Sequence, residues 1–550
     1  VPEIAFPSLS FVVFNLNVWH KVIFETIYYL LNKAHLKVMK TILITGATSG
    51  IGLALGHWYK EKGERPILLG RRSLESLSDP IFTADNYCQV DLATADAHVT
   101  VGRWLHNRKI DTVDVLIHNA GLGWYGDPAE QSSASVQDLV AVNVEAPIRL
   151  THALLPLVQS AAAGKIVFVS SAVSQLPTAD YAVYTATKAA LDGFARSLRI
   201  EQAGRVAVQV LHPGATRTTM HEKIGIPKER MNWDKFPPAA DVATQMGGAI
   251  TTGRRHVAIG VTNKILRGVS RAIPNLLRGV MRKKFAGSGW PASGAVGHVV
   301  ITGAADGIGR ATAHHFAEAG YQVTGIDFDA ERSAETVAEL RDMGGTADFI
   351  TADLSRPEGV NRVIDALQTK PPIDMLINNA GISAAGHFSQ LPLEEQIKVI
   401  KVNFLAPLLL TTGVLQTKRL TSEAQLVFLS SLSRYVGYPG AAVYAATKDG
   451  LASYAGSLHV DGRHPTSCTV VYPGPTRTAH ARRYSPDNDN EKNRTPPEAV
   501  ATAIYSGATR RAFTVLPGGG AKVFATLGRI APRLMEQAMK KVILDKFPTT

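Results

Sequence analysis

Cysteine is almost missing from this 550-residue chain: Cys88 and Cys468 are the only two, one in each half. A pair so far apart in sequence builds no disulfide framework. That points to a reducing, cytoplasmic compartment and excludes a small disulfide-stapled secreted scaffold. Aromatic residues are sparse at 7%, and acids are outnumbered, with 46 Asp and Glu against 58 Lys and Arg. The resulting formal charge of +12 admits an acidic partner. No nucleic-acid module accompanies it, so no nucleic-acid partner is expected. Also missing is a clean apolar run of membrane length. Leu9 to Leu31 is long enough, but Asn15, Asn17, His20, Lys21 and Glu25 interrupt it, and each central charge costs roughly 2.5–3.5 kcal/mol. Nor is there a basic segment followed by a compact apolar core and a small-residue cleavage site, which argues against a secretory signal.

What is present fits two well-filled cores, with 45% hydrophobic residues over a length too great for one typical domain. Residues 1–38 lack Gly, Asp, Arg and Gln and differ from everything after them. They are expected to be a leader or a poorly ordered extension. A first domain is expected over 39–284 and a second over 298–550. Between them, residues 285–297 read FAGSGWPASGAVG, rich in Gly, Ala, Ser and Pro and free of charge, as a linker would be.

From Thr41 the sequence TILITGATSGIGLALGHWYKEKG is a short apolar strand, a glycine-rich turn and a helix. Gly46, Gly50 and Gly52 let the backbone turn tightly and approach a diphosphate at a helix N-terminus. The design returns as VVITGAADGIGRATAHHFAEAG, with Gly303, Gly307 and Gly309. Glycines in such turns also serve structure alone, so the motif needs its surroundings. Those surroundings alternate strands and helices in both halves: ERPILLGRR, CQVDL, VDVLIHNAG, KIVFVSS and VAVQVLHPG, then QVTGIDFD, FITADL, IDMLINNAG, QLVFLSS and CTVVYPG. This predicts two tandem α/β domains, each a doubly wound parallel sheet. Asn119 and Asn379 lie 260 residues apart, as do Asn143 and Asn403, Tyr184 and Tyr444, and Pro213 and Pro473, which marks a full-domain duplication.

Tyr184 and Lys188 are four residues apart, hence on one helix face, and Tyr444 and Lys448 repeat the pair. Alone, such a pair is an ordinary solvated helix face. Thirteen residues before each tyrosine, however, stands a serine at a strand end, Ser171 and Ser431. A hydroxyl, a phenol and an ammonium can thus meet beside a nucleotide. A carbonyl accepting hydride needs a proton. A phenol of ordinary pKa near 10 supplies it poorly unless a neighbouring cation lowers that value.

The series TGxxxGxG, NNAG, helix Asn, Ser, YxxxK and PGxxxT resembles the short-chain dehydrogenase/reductase family, here twice over. It covers nearly the whole chain from Met39, with His118 in place of the first Asn of one NNAG. The resemblance implies a Rossmann-like fold and NAD(P)-dependent interconversion of a hydroxyl and a carbonyl. It implies catalytic roles for Asn143, Ser171, Tyr184 and Lys188 and for Asn403, Ser431, Tyr444 and Lys448, with a proton relay through the asparagines. It assigns to the cofactor Gly46, Ser49, Gly50, Ile51, Gly52, Asp91, Asn119, Pro213, Gly214 and Thr218. In the second half the corresponding residues are Gly303, Asp306, Gly307, Ile308, Gly309, Asp353, Asn379, Pro473, Gly474 and Thr478. No metal is implied.

Gly70 and Asp327 each follow the first glycine of their half by 24 residues. An acid there accepts the adenosine ribose hydroxyls and repels a 2′-phosphate, whereas arginines welcome it. Asp327 therefore predicts NAD for the second half, and Arg71 with Arg72 predicts NADP for the first. After each core comes a basic amphipathic segment, VTNKILRGVSRAIPNLLRGVMRKK and GAKVFATLGRIAPRLMEQAMKKV. In the first, an apolar stripe through Ile265, Val269, Ile273 and Leu276 runs at helical spacing, with Lys264, Arg267, Arg271, Arg278 and Arg282 largely off it. Such segments either lie on an anionic membrane surface or pack over a substrate pocket or the other half. Both versions favour a lipophilic alcohol or ketone as substrate. Three readings stay open: two active sites, one active half with the other as scaffold in an internal pseudo-dimer, or a redox-neutral hydroxyl epimerase.

Overall fold

The computed structural model describes residues 39–226, 232–283, 290–486, 488–489 and 491–548. The expected leader over 1–38 lies outside these, as does part of the expected linker.

Strands β1 (Thr41–Thr45), β2 (Arg65–Gly70), β3 (Tyr87–Gln89), β4 (Val115–His118), β5 (Lys165–Val169), β6 (Ala207–His212) and β7 (His256–Ala258) form one sheet in the order β3-β2-β1-β4-β5-β6-β7. Strands β8 (His298–Thr302), β9 (Gln322–Asp327), β10 (Ala347–Thr351), β11 (Ile373–Asn378), β12 (Leu420–Leu429), β13 (Ser467–Val471) and β14 (Thr514–Val515) repeat that order. All recorded pairings between these strands are parallel. Helices cover both faces, so the central strands are apolar without alternation; Ile42, Leu43 and Ile44 are all buried. The edge strands β7 and β14 are too short to stand out in the sequence. Strand order reverses between β1 and β4, and between β8 and β11. Beyond the carboxyl ends of the strands, that reversal opens the crevice where ligands bind in such sheets. Cys88 and Cys468 are buried free thiols.

The helix carrying Tyr184 (Ala182–Glu201) and the helix carrying Tyr444 (Ala442–Asp461) are buried along almost their whole length because each packs on the other. Small residues permit that approach. A Cβ on Gly193 would stand 2.8 Å from an Asp449 carboxylate oxygen, and one on Gly450 would stand 3.1 Å from the Ala186 carbonyl. Arg196 pairs with Asp449 across the junction, and Thr185 shares a 3.0 Å hydrogen bond with Ser457. The helical stretch Leu393–Gln416 is long and apolar enough to cross a bilayer, but it is mostly buried inside the fold.

The two basic segments each break where the sequence places proline. The first forms helices Val261–Ala272 and Pro274–Met281, and the second forms Gly519–Ile530 and Pro532–Val542. Both pairs cross over to the opposite half. Lys283 donates its backbone N–H to Val460, and Glu536 pairs with Arg255 at 2.5 Å. The inward face is not the apolar stripe. Arg267 and Ser270 are buried, whereas Ile265, Leu266 and Val269 are exposed. Arg267 turns inward because Asp192 is there to receive its charge.

Candidate active site

The β5 strand ends one residue before Ser170, and the chain turns at Ser171, whose hydroxyl accepts the Val173 amide at 3.4 Å. The Tyr184 helix then brings its phenol back to that hydroxyl, to which it is hydrogen-bonded. One turn on, Lys188 is buried, donates to the Val169 carbonyl at 3.1 Å and holds its ammonium 5.8 Å from the Tyr184 ring centroid. Burial raises the Tyr184 pKa, and the Ser171 hydrogen bond pulls it back. Burial also lowers Lys188 to about 8, opposed by the Asp192 carboxylate. Desolvation thus drives apart two groups whose ordinary values differ little, so that the phenol is held above its usual value and not lowered by the lysine as the sequence suggested.

The second half repeats the arrangement. Ser431 accepts the Ser433 amide at 3.2 Å and is hydrogen-bonded to Tyr444, and Lys448 donates to the Leu429 carbonyl at 2.9 Å. Its ammonium lies 5.5 Å from the Tyr444 ring centroid. Tyr444 is pushed up to about 12, first by burial and then by Tyr438, and Lys448 falls to about 8 through burial.

Asn143 and Asn403 sit in matching π-helical turns, Ala141–Glu145 and Lys401–Leu405, each inside a longer helix. Asn143 accepts the Leu122 amide at 2.8 Å, and donates to the Leu122 carbonyl and to the Thr187 hydroxyl, both at 2.9 Å. Asn403 treats Ile382 and Thr447 in the same way. These side chains are engaged in bracing the segment after the strand end beside the lysine.

Around the glycine turns the backbone is bare. Gly46 and Gly50 have φ of 65° and 58°, and a Cβ on Gly52 would lie 2.4 Å from the Gly46 carbonyl oxygen. Gly303, Gly307 and Gly309 repeat this, with φ of 66° and 54° and a clash at 1.8 Å. Gly121 and Gly381 leave the floor open beside Lys188 and Lys448, where a Cβ would stand 3.1 and 3.3 Å from the ammonium nitrogens. Such a cradle, ending at a helix N-terminus, fits a nicotinamide dinucleotide.

The other assigned residues gather along the same crevice. Asn119 ties β4 to the turn through Thr45 and Gly46 at 3.0 and 3.2 Å, and Asn379 does so through Thr302 and Gly303. Ser49 occupies the first helix's N-cap without a side-chain cap bond, whereas Asp306 accepts the Gly307 amide at 2.7 Å. Ile51 and Ile308 are half-buried just inside those helices. Asp91 and Asp353 stand exposed beyond β3 and β10, accepting the amides of Ala93 and Ser355 at 2.9 and 2.8 Å. The Pro213 and Pro473 carbonyls accept amides from Ala172 and Leu432, fastening each PG turn, with Gly214 and Gly474, behind its serine. The Thr218 and Thr478 methyls reach to 3.2 and 3.1 Å from where a Cβ on Gly50 or Gly307 would stand.

The strand pairings put Gly70 and Asp327 in equivalent places, each one residue beyond the pairings Thr45–Leu69 and Thr302–Ile326. Asp327 is buried and accepts the Ala305 amide of its glycine turn at 3.0 Å. In the first half Arg72 instead donates to the Thr48 carbonyl of the equivalent turn, and Arg71 is exposed.

Several neighbours were not anticipated from the sequence. Phe328, 75% exposed, stands where the first half has Arg71. Tyr181 and Tyr125 wall the first site, with ring centroids 6.0 Å (Tyr181–Tyr184) and 5.2 Å (Tyr125–Tyr181) apart. Tyr438 lies 6.2 Å from Tyr444 in the second site. His480, where the first half has Met220, is lowered to about 4 by burial and then by the Lys448 charge. The YAVY spacing at 181–184 hinted at the first wall, but nothing local distinguishes the others. His118 is a structural residue: buried, 2.9 Å from the Thr151 hydroxyl and stacked on Phe168.

A doubly wound sheet with a bare glycine cradle and a Ser, Tyr, Lys cluster at its carboxyl edge defines a nicotinamide-dependent dehydrogenase. The family profile described as short chain dehydrogenase matches residues 40–229 and again 297–489, and the chain belongs to that family. It is an NAD(P)-dependent oxidoreductase acting on CH–OH groups, with the family domain in tandem. An uncharacterized oxidoreductase of Bacillus subtilis (strain 168), YxnA, is 31% identical over 258 residues, covering 44% of this chain and 72% of that protein. The 1-deoxy-11-beta-hydroxypentalenate dehydrogenase of Streptomyces exfoliatus is 36% identical over 180 residues, 32% of this chain and 66% of its own. The crystal structure of an N-terminal ketoreductase from a macrolactin assembly line matches 87% of this chain with 86% of its own. Its TM-score is 0.58 at 13% identity, a likeness of fold spanning both halves.

Proposed function

We propose that both halves are catalytic, that the first uses NADP and the second NAD, and that the substrates are lipophilic alcohols or ketones. The observation that carries the reading is the contrast beyond β2 and β9. One half offers Arg71 and Arg72 at the strand end; the other offers the Asp327 carboxylate followed by Phe328 and Asp329. The arginines favour a 2′-phosphate, and the buried carboxylate favours two free ribose hydroxyls. In each site the nicotinamide, when bound, exchanges a hydride with the substrate carbon. Ser171 or Ser431 holds the substrate oxygen, and Tyr184 or Tyr444 passes the proton. The cationic Lys188 or Lys448 stabilises the phenolate left behind. The tyrosine walls beside Tyr184 and Tyr444 support a lipophilic substrate.

The two halves are read as an internal pair joined through the Tyr184 and Tyr444 helices. Opposite cofactor preferences in one chain also favour a redox-neutral epimerisation, with oxidation in one site and reduction in the other. The full-length Tyr184→Phe and Tyr444→Phe variants separate these readings when each is assayed with NADPH and NADH on a panel of lipophilic carbonyls. Tyr184→Phe should keep the NADH-dependent reaction, and Tyr444→Phe the NADPH-dependent one. Equal use of both cofactors by each variant would overturn the assignment, and total loss from one substitution alone would leave a single active half.

A further inference from the structure

Both tail segments leave large apolar side chains on their outer face. Helix Val261–Ala272 buries Arg267 and Ser270, with Asn263 half-buried between them and the chain's PG turn. Its Ile265, Leu266 and Val269 face outward, and the stripe continues through Ile273, Leu276 and Val280 of the next helix, all exposed. In the second tail, helix Gly519–Ile530 packs inward with the small residues Ala521, Ala525 and Gly528 and turns Val523, Leu527 and Ile530 to the outside. Most of the large apolar side chains exposed among the described residues belong to these two segments. An isolated exposed leucine needs no explanation, but a stripe kept in both copies of a duplicated domain does.

The stripes adjoin. The first tail crosses onto the second half, where the Arg278 guanidinium lies 4.2 Å from the Phe513 ring centroid. There the Arg529 guanidinium of the second tail, 5.0 Å from the Tyr435 ring centroid, is close enough to act on it. The surroundings are basic. Lys264, Arg282 and Lys283 of the first tail and Lys522, Arg529, Arg533, Lys540 and Lys541 of the second are exposed. From 261 to 283 there is no acid at all, and the acid Glu536 is taken by Arg255.

We propose that this surface docks the protein on an anionic lipid bilayer, the apolar stripes entering the headgroup boundary and the cations resting on the headgroups. The charge decides against a second copy of the chain as occupant. Self-association through this face would bring one ring of lysines and arginines against another, whereas an acidic lipid surface complements it. The position of the patch ties it to the sites. Helix Val261–Ala272 packs on Ala172–Gln175, immediately after Ser171, and helix Gly519–Ile530 packs on Ser433–Val436, immediately after Ser431. The membrane would therefore lie beside both catalytic serines. The docking does not rest on the cofactor assignment.

The test is co-sedimentation of the full-length protein with vesicles of phosphatidylcholine alone or with about 30% phosphatidylserine, at about 0.05 M and about 0.5 M salt. Binding is expected on the anionic vesicles at low salt, and at least about tenfold weaker on neutral vesicles or at high salt. Two variants, Ile265→Ser with Leu527→Ser and Lys540→Glu with Lys541→Glu, should each weaken binding about tenfold or more while turnover of a water-soluble carbonyl stays unchanged. No sedimentation with anionic vesicles at low salt overturns the proposal. So does a concentration-dependent dimer in light scattering that the Ile265→Ser, Leu527→Ser variant dissociates, because the face would then be an interface between copies.

Discussion

Lys188 and Lys448 show how one buried group can carry a pH dependence. Each is lowered by burial to about 8, so the ammonium that supports the phenolate persists below that pH and is lost above it. For carbonyl reduction, kcat/KM should therefore fall as pH rises through about 8, because this ratio reports groups of the free enzyme. Lys188→Met and Lys448→Met should each abolish that inflection at their own site, with a loss of up to roughly 10²–10⁴-fold, the range for a positioned proton donor, because the tyrosine phenolate loses its cation. A pH–rate profile with each cofactor checks both statements. These lysines, with their tyrosines and serines, were legible in the sequence because spacing along a helix and a strand end fixes them. Tyr438, Phe328 and His480 were not, since their approach depends on how separate loops fold over the crevice. Arg267 lies off the apolar stripe as its spacing indicates, but its burial was not legible for a related reason: helical periodicity reveals a stripe but not which side of it meets the protein.

Elements impose a different requirement, close approach of backbone to backbone. A Cβ at Gly52 would overlap the Gly46 carbonyl oxygen at 2.4 Å, and neither atom belongs to a side chain that can swing away. Gly52→Ala should distort the turn, costing about 1–3 kcal/mol of stability or more and removing cofactor binding from the first half alone. Gly102 is the control. It lies within helix Ala97–Asn107 with nothing within 4 Å of its would-be Cβ, so Gly102→Ala should stabilise by about 0.5–1 kcal/mol. Denaturant titration and nucleotide binding, measured on both variants, read the contrast. The strands and glycine turns were visible as apolar runs ending in special residues. The short strands β7 and β14 were not, because two or three residues are too few to show a period.

Across the whole molecule, the half-to-half junction contains an acid whose setting makes stability depend on pH. Glu201, at the end of the Tyr184 helix, accepts the amide of Phe388 at 2.9 Å and that of Gly440 at 2.8 Å, both from the other half. Its counterpart in the second half is Asp461, where Arg463 reaches back to Asp180 at 3.0 Å, so the duplication has kept the contact and changed its chemistry. Burial pushes Glu201 up to about 7, with the two amides opposing the rise. The folded state therefore holds this proton more tightly than the unfolded chain, whose carboxyl titrates near 4.5. Stability from this group is complete below about pH 4.5 and is lost as pH rises through about 7, by roughly 2 kcal/mol once partial exposure is allowed for. In Glu201→Gln the group no longer titrates. The difference in denaturation midpoint between the parent chain and the variant, followed from pH 4.5 to 8, should shift toward the variant as pH rises. Subtraction cancels the other titrating groups, so a flat difference would place the proton elsewhere in the junction.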